Sequence, residues 1–358
     1  MSRFLSGRFV ALEAYTPGEQ PRDKRYIKLN TNESPYPPSK EVMERISKEE
    51  VMALNLYPDP TGRALKEKLA ALYEVNTEQV FLANGSDEIL NFAFLAFCDA
   101  QNGAVFPDIS YGFYPVYAKL YQIPFEEIPL KEDFSIDSKA YCGLNRMIVI
   151  ANPNAPTGMA LSVGQIEEIV KSNPDHVVLI DEAYVDFGGE SCIGLTKKYG
   201  NLLVVQTFSK SRSMAGARLG FGIAQAELIA DLKKIQYSTN PYNINRLTLA
   251  AGEAAVESDA YYKENAKRII ETREKTAKEL RELGVTVLPS KANFIFAGSG
   301  RLDGDSLYRE LKAQGILVRH FEKERIRNFV RISIGTPGQM EALVSAFQKI
   351  LAERRERP

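Results

Sequence analysis

The stretch of sequence that decides the fold is Val177-Val178-Leu179-Ile180-Asp181-Glu182-Ala183-Tyr184, an apolar run that passes directly into polar residues. Short runs of this kind, rich in β-branched residues and bounded by turn signals, predict buried strands. A second run, at 202–206, passes in the same way into Thr207-Phe208-Ser209-Lys210. Both segments are therefore predicted to be strands of one sheet, with polar side chains at their carboxyl ends.

Outward from these two strands, short apolar runs alternate with helical patterns. Further strands are predicted at 79–83 and 147–151, and helices at 64–73 and 87–97. Fully apolar strands separated by helices are typical of a parallel sheet that is covered on both faces. The predicted fold is therefore α/β, with a large domain built on a mostly parallel central sheet covered by helices, and a smaller α/β domain.

The smaller domain is predicted to contain both ends of the chain. Residues 1–40 are rich in proline and polar groups. Because proline at this density is incompatible with a helix or a central strand, this segment is predicted to be an extended arm. Residues 41–270 are assigned to the large domain and residues 271–358 to the small one. A long charged helix is predicted at 260–283, followed by strands at 285–288, 292–297, 316–319 and 330–334.

The composition excludes several classes of protein. With 45 basic and 46 acidic residues the net charge is -1, which gives no electrostatic reason to bind nucleic acid or an anionic membrane. Three scattered cysteines and two histidines predict neither a disulfide framework nor a metal site. The chain has no secretion-signal pattern and no apolar run near the roughly 20 residues of a membrane span, so we expect a cytoplasmic protein. The basic segment 354–357 is expected to be solvated surface.

The polar residues that follow the strands are expected to meet at one edge of the sheet. The carboxyl ends of parallel strands face a common crevice where ligands bind, so Asp181, Tyr184, Ser209 and Lys210 should converge there. Together with Arg218, these groups suit a phosphorylated aromatic cofactor that forms a Schiff base with the lysine. For any one of these residues taken alone, a surface ion pair at a strand end is the favoured interpretation.

Two turns add to this pattern. In the turn 84–88, between a strand and a helix, Gly85 lets backbone amides point at an anion on the helix N-terminus. The alternative is a simple helix cap, because Ser86 and Asp87 are common N-cap residues. The turn Asn152-Pro153-Asn154-Ala155-Pro156-Thr157-Gly158 ends another strand rigidly, and such turns are common in proteins of every function.

Taken together, these motifs resemble those of a known family. Three of them look like motifs of the fold type I aminotransferases, which use pyridoxal 5'-phosphate. They are Asn-Pro-x-x-Pro-Thr-Gly from Asn152, Asp-x-x-Tyr from Asp181, and Ser-Lys followed by Arg218. Within these aminotransferases, five segments resemble the histidinol-phosphate aminotransferase family: 11–18, 28–35, 57–60, 241–245 and 330–336. The resemblance covers nearly the whole chain, from about Tyr15 to Thr336.

The resemblance implies a role for each catalytic residue. Lys210 is expected to bind the cofactor covalently and, once released by substrate, to carry a proton between the substrate Cα and the cofactor C4'. Asp181 is expected to keep the pyridine nitrogen protonated, and Tyr184 to hydrogen-bond the 3'-oxygen of the ring.

The same resemblance implies the other cofactor contacts. The cofactor phosphate is expected to be held by Arg218 and Ser209, assisted by Thr207, and by the backbone amides of Gly85, Ser86 and Asp87. Tyr111 is expected to stack on the cofactor ring, although a core aromatic is the alternative reading. Many relatives have asparagine where this chain has Ala155. Either Asn154 supplies that amide after a small shift of the turn, or Tyr184 holds the 3'-oxygen alone.

The resemblance also implies a substrate site and a homodimer with shared active sites, to which the arm 1–40 contributes. Arg331 matches the arginine that grips the substrate α-carboxylate. Tyr15, Asn32 and Arg319 are expected to contact the substrate phosphate or ring, although Asn32 could simply cap a turn of the arm. Tyr57 is expected to reach the cofactor phosphate of the neighbouring subunit.

Several functions remain open from the sequence. The leading hypothesis is transamination between L-histidinol phosphate and 2-oxoglutarate, giving imidazole-acetol phosphate and L-glutamate in histidine biosynthesis. A broad-specificity aromatic aminotransferase and a threonine-phosphate decarboxylase share the same cofactor site. A non-catalytic sensor or transcription regulator of the same fold is disfavoured by the near-neutral charge.

Overall fold

The computed structural model describes residues 2–353, so the basic segment 354–357 lies outside the described residues. The strands in chain order are β1 (Ile27–Lys28), β2 (Val80–Ala83), β3 (Ala104–Pro107), β4 (Phe125–Ile128), β5 (Met147–Ala151), β6 (Val178–Asp181), β7 (Leu202–Thr207), β8 (Gly220–Ile223), β9 (Val285–Val287), β10 (Phe294–Ser299), β11 (Ile316–Leu317), β12 (Arg319–His320) and β13 (Phe329–Ser333).

Helices separate most of these strands. In chain order they are α1 (Lys40–Arg45), α2 (Lys48–Met52), α3 (Arg63–Tyr73), α4 (Ser86–Phe97), α5 (Tyr114–Tyr121), α6 (Val163–Ser172), α7 (Ala226–Thr239), α8 (Arg246–Glu257), α9 (Asp259–Glu282), α10 (Gly304–Ala313) and α11 (Pro337–Glu353). Within residues 2–353, no helix combines the length and the apolar character needed to cross a membrane.

The large sheet has the strand order β2-β8-β7-β6-β5-β3-β4. Strand β8 runs antiparallel to both of its neighbours, and the pairs from β7 to β4 are all parallel. Every residue of β5, β6 and β7 is buried, because apolar clusters cover both faces of the sheet. The predicted α/β class with a mostly parallel central sheet is therefore confirmed.

A second, antiparallel sheet has the order β12-β13-β10-β9. Near it, β1 of the arm pairs in parallel with β11, so a segment from each end of the chain joins in one small ladder. Helix α9 is continuous through residue 270, where the sequence placed the limit of the large domain. The domain limits at 40 and 270 stay a prediction.

The prediction of one strand at 316–319 was wrong. The segment divides at the buried Val318, so that β11 pairs with β1 whereas β12 pairs with β13. A change of hydrogen-bonding partner within four residues leaves no alternation for a sequence pattern to detect. The division directs Arg319 away from the small ladder, and its guanidinium donates to backbone oxygens of the arm.

Candidate active site

An open cavity lies at the carboxyl ends of β5, β6 and β7, and encloses about 820 Å³ when the solvent at its mouth is included. This is the position expected for a small-molecule site in an α/β sheet. Most of the side chains predicted from the sequence line it: Tyr15, Asn32, Ser86, Asp87, Tyr111, Asp181, Tyr184, Thr207, Ser209, Lys210, Arg218, Arg319 and Arg331.

Lys210 reaches the cavity from the turn that follows β7. The turn is held by backbone hydrogen bonds, including one from the N–H of Phe208 to the oxygen of Leu219 at 2.9 Å. The Lys210 Nζ donates to the backbone oxygen of Thr31, in the arm, at 3.3 Å and lies 5.8 Å from the Tyr184 ring centroid. A neutral carbonyl is a weak partner for an ammonium group, so the lysine can leave it for a ligand in the cavity.

Asp181 is the last residue of β6, and only 5% of it is exposed. Its Oδ2 accepts a hydrogen bond from the hydroxyl of Tyr114 at 3.0 Å, and its Oδ1 accepts one from the N–H of Ala183 at 3.2 Å. Burial raises the pKa of this carboxyl to about 6, and these two donors limit the rise. A positively charged ring nitrogen placed beside it would offset the burial.

The hydroxyl of Tyr184 faces the arm. It accepts a hydrogen bond from the Nδ2 of Asn32 at 3.0 Å, and both side chains line the cavity. The Tyr184 ring packs edge-on against Phe294, with 5.0 Å between ring centroids and an interplanar angle of 89°. The phenol is therefore fixed in position from two sides.

The start of α4 forms an anion cradle. Gly85 precedes the helix with a φ of +81°, and no side chain of residues 2–353 caps the first turn, so the amides of Ser86 and Asp87 remain directed outward. A Cβ at Gly85 would stand 2.7 Å from the Nη2 of Arg218. Glycine is thus required here both for the backbone conformation and for the close approach of the guanidinium.

Arg218 stands over this cradle. Its Nη2 donates to the Oδ2 of Asp87 at 2.9 Å, and its Nη1 donates to the hydroxyl of Ser209 at 3.4 Å. The Ser209 hydroxyl also accepts from Thr207 at 3.0 Å, and the Tyr111 hydroxyl donates to the Oδ1 of Asp87 at 2.7 Å. Uncapped amides, a guanidinium and two hydroxyls are the donor set that a phosphate monoester needs, so these residues fit the phosphate of the implied cofactor.

A second group of cationic side chains in the cavity, Arg331 and Arg319, lies against the arm. The Nη2 of Arg331 donates to the backbone oxygen of Asn30 at 3.2 Å, whereas its buried Nε has no hydrogen-bond partner within residues 2–353. Burial lowers the pKa of Arg331. The ring of Tyr15 stacks on Phe113 at 4.2 Å, beside Arg331 and Arg319. The unpartnered Nε leaves Arg331 with a donor available to an anionic ligand.

Three of the predicted site residues do not line the cavity. Gly85 lies behind Arg218, as described above. The side chain of Asn154 points elsewhere: its Nδ2 donates to the backbone oxygen of Ile109 at 3.0 Å and its Oδ1 accepts from Ser110 at 2.8 Å. Tyr57 is 78% exposed and stacks on Tyr242, with ring centroids 4.5 Å apart.

A lysine, a buried carboxylate and a phenol at the strand ends, beside an anion cradle, form the arrangement that the sequence motifs predicted. The family profile described as "Aminotransferase class I and II" matches residues 24–347. This chain belongs to that family. Membership confirms the predicted enzyme class, a transaminase that depends on pyridoxal phosphate.

Individual proteins show the same relationship. The chain is 51% identical to the histidinol-phosphate aminotransferase of Brachyspira hyodysenteriae, over 98% of this chain and 99% of that protein. It is 47% identical to that of Clostridium acetobutylicum, over 98% and 100%. The crystal structure of the Sinorhizobium meliloti histidinol-phosphate aminotransferase with pyridoxal-5'-phosphate superposes with a TM-score of 0.83 at 22% identity, covering 92% of each chain. At that identity the likeness shows the fold alone.

Sequence reasoning missed two residues of the site. Tyr114 is not among the residues predicted from the sequence, yet its hydroxyl donates a hydrogen bond to Asp181. Ser333 lies in the segment 330–336 without a predicted role of its own, although it contacts Asn32 through two hydrogen bonds. A signal for Tyr114 existed, because a fully buried tyrosine needs a partner for its hydroxyl. The pairing of Ser333 with the arm had no signal in the sequence.

Proposed function

We propose that this chain transfers the amino group of L-histidinol phosphate to 2-oxoglutarate, giving imidazole-acetol phosphate and L-glutamate. The observation that carries the proposal is the identity of 47–51% to histidinol-phosphate aminotransferases over essentially their whole length. Pyridoxal phosphate supplies the aldehyde and the electron-accepting ring on which the amino group is exchanged. We also propose a cytoplasmic location.

The charges of the cavity fit both substrates. L-Histidinol phosphate carries a phosphate ester where an amino acid carries its α-carboxylate, so one end of the cavity must accept either anion in turn. Arg331 and Arg319 stand at that end, and arginine binds both phosphate and carboxylate by a two-pronged contact. Tyr15, which lines the cavity and stacks on Phe113, offers an aromatic surface for the imidazole ring.

The residues at the other end of the cavity bind the cofactor and handle two protons, one on the substrate Cα and one on the ring nitrogen. We assign Lys210 as the base that takes the proton from the substrate Cα, because the only hydrogen bond of its Nζ within residues 2–353 is to a neutral carbonyl. Asp181 holds a proton on the ring nitrogen, and Tyr184 donates to the ring oxygen. Arg218, Ser209, Thr207 and the amides of Ser86 and Asp87 bind the cofactor phosphate.

We further propose that two copies of this chain form a dimer with shared active sites. Helices α1 and α2 and the turn after them carry a group of exposed apolar side chains: Met43, Val51, Met52, Leu54, Leu56 and Tyr57. Exposed apolar side chains concentrated in one segment are typical of a protein interface. They include Tyr57, which we propose reaches the cofactor phosphate of the second copy.

A single-turnover absorbance experiment tests the substrate. The purified holoenzyme is mixed with L-histidinol phosphate, L-histidinol or L-phenylalanine, and the loss of the visible cofactor band is followed. We expect the band to disappear at much lower concentrations of the phosphorylated amine, and Arg319→Ala to remove that preference. Arg309→Ala, on the exposed face of α10, is the matched control. An equal response to all three amines would replace the proposal with a broad aromatic aminotransferase.

A further inference from the structure

The hydroxyl of Tyr184 is the last acceptor in a chain of three connected hydrogen bonds. The backbone N–H of Asn32 donates to the Oγ of Ser333 at 2.8 Å, and the Oγ of Ser333 donates to the Oδ1 of Asn32 at 3.0 Å. The Nδ2 of Asn32 then donates to the Tyr184 hydroxyl at 3.0 Å. This series of bonds links β13 and the arm to Tyr184, three residues after the end of β6.

Asn32 is held rigidly in this chain. It is 1% exposed, and its φ of +55° lies in the left-handed region, which asparagine tolerates better than most residues. The Nδ2 of Asn293 donates to its backbone oxygen at 2.9 Å. The arm is also tied to β13 by the N–H of Ser333, which donates to the oxygen of Leu29 at 2.9 Å.

The direction of each hydrogen bond follows from the donors available. Because the Ser333 oxygen accepts the N–H of Asn32, its single proton is free for the Oδ1 of Asn32. That bond fixes the amide, so its NH2 group faces Tyr184. The phenol oxygen is consequently an acceptor in this contact, and its own proton must point elsewhere. The Tyr184 hydroxyl has no other hydrogen bond within residues 2–353, and the cavity lies beside it.

We propose that Asn32, oriented by Ser333, is a positioning residue that turns the hydroxyl proton of Tyr184 into the cavity, where the ring oxygen of the cofactor accepts it. The inference rests on the proposed function, because it takes pyridoxal phosphate as the ligand of the cavity. It replaces the expected contact between Asn32 and the substrate. The turn after β5 supplies no competing side-chain amide, because Ala155 lines the cavity without a donor and the Nδ2 of Asn154 donates to Ile109 and Thr157.

A double-mutant cycle between Asn32 and Tyr184 tests the proposal. Asn32→Gly removes the amide and is compatible with the positive φ, and Tyr184→Phe removes the hydroxyl. The probe is pyridoxamine 5'-phosphate, titrated into each protein after removal of the cofactor. We expect Asn32→Gly to raise the dissociation constant about fivefold in the otherwise unchanged protein, and less than twofold when Tyr184 is already Phe.

A second readout is the pH midpoint of the visible cofactor band in the reconstituted proteins. Loss of the donated proton returns electron density to the ring oxygen, so the midpoint should move to higher pH in each single variant. In the double variant the midpoint should lie no higher than in Tyr184→Phe alone. Asn32→Asp keeps the shape of the side chain but places an acceptor against the phenol, and it should move the midpoint at least as far as Asn32→Gly.

Two variants separate positioning from a loosened arm. Ser333→Ala frees the amide of Asn32 and should reproduce part of the effect, still coupled to Tyr184. Asn293→Ala removes the support of the Asn32 backbone but leaves its side chain, and should show no coupling to Tyr184→Phe. Equal effects of Asn32→Gly in the presence and absence of the Tyr184 hydroxyl would overturn the proposal. Neither readout uses an amine substrate, so this result and the choice of substrate are decided separately.

Discussion

The variant Asp181→Asn, studied in the protein freed of cofactor, tests whether burial of the ionised Asp181 carboxyl destabilises the folded protein. Burial raises the pKa of Asp181 from 3.8 to about 6, although Tyr114 and the N–H of Ala183 donate hydrogen bonds to it. The unfolded chain therefore loses this proton near pH 4, whereas the folded protein keeps it until about pH 6.

The size of the effect follows from these two pKa values. Because the folded state binds the proton more tightly, this group lowers the free energy of unfolding as the pH rises from about 4 to about 6, and adds nothing further above that range. At about 1.4 kcal/mol for each pKa unit, ionised Asp181 costs the folded protein about 3 kcal/mol. Asparagine cannot ionise. The stability of Asp181→Asn relative to the unchanged protein should therefore rise by about 3 kcal/mol between pH 4 and pH 7.

Urea unfolding followed by circular dichroism measures this difference at a series of pH values. Asp259→Asn is the matched control, with the opposite sign. Burial would raise the pKa of Asp259, but the hydrogen bond from Lys263 and the charge of Arg212 lower it. Its carboxylate contributes stability that is present above about pH 4 and is lost as the pH falls below it, so Asp259→Asn should lose relative stability as the pH rises toward about 4 and then stay nearly level to pH 7. A flat difference for Asp181→Asn from pH 4 to pH 7 would refute the reasoning.

Three further outcomes are expected. Lys210→Ala should abolish turnover and leave the cofactor bound only non-covalently, which gel filtration of the coloured protein in denaturant detects; retained turnover would contradict the assignment of the base. Arg331→Lys should lower kcat/KM for L-glutamate at least about tenfold, because an ammonium cannot make the two-pronged contact, and steady-state kinetics measure this loss against the exposed control Arg309→Lys. Asn154→Ala should lower stability by about 1–3 kcal/mol, because it leaves the buried oxygen of Ile109 without its donor. Thermal unfolding measures that loss, and an unchanged stability would contradict it.

The sequence predicted the residues whose positions depend on the backbone alone. Asp181 and Lys210 follow buried parallel strands, and the end of such a strand is fixed once the apolar run is recognised. Ser86 and Asp87 follow a glycine between strand and helix, so their amides were predictable for the same reason. These predictions depended only on the local pattern of apolar and turn residues and on the direction of the chain.

Positions that depend on packing between distant segments were not predictable in this way. The orientation of Asn154 is decided by hydrogen bonds to Ser110 and Ile109, which lie on a different loop. The contact of Tyr114 with Asp181 depends on how α5 packs against the sheet. Periodicity reports which face of an element is buried, but it does not report which partner a polar side chain meets there.

The cations of the cavity fall into two groups according to the partners that they hold. Lys210, Arg319 and Arg331 donate to backbone oxygens of the arm, whereas Arg218 is paired with the carboxylate of Asp87. A neutral carbonyl is a weaker partner than an anion, so the first group exchanges the arm for a ligand at little cost. A cofactor phosphate must instead compete with a charged side chain, an exchange made once when the holoenzyme assembles. We infer that the cations facing the substrate, which must be freed in every half-reaction, are those whose resident partners are uncharged.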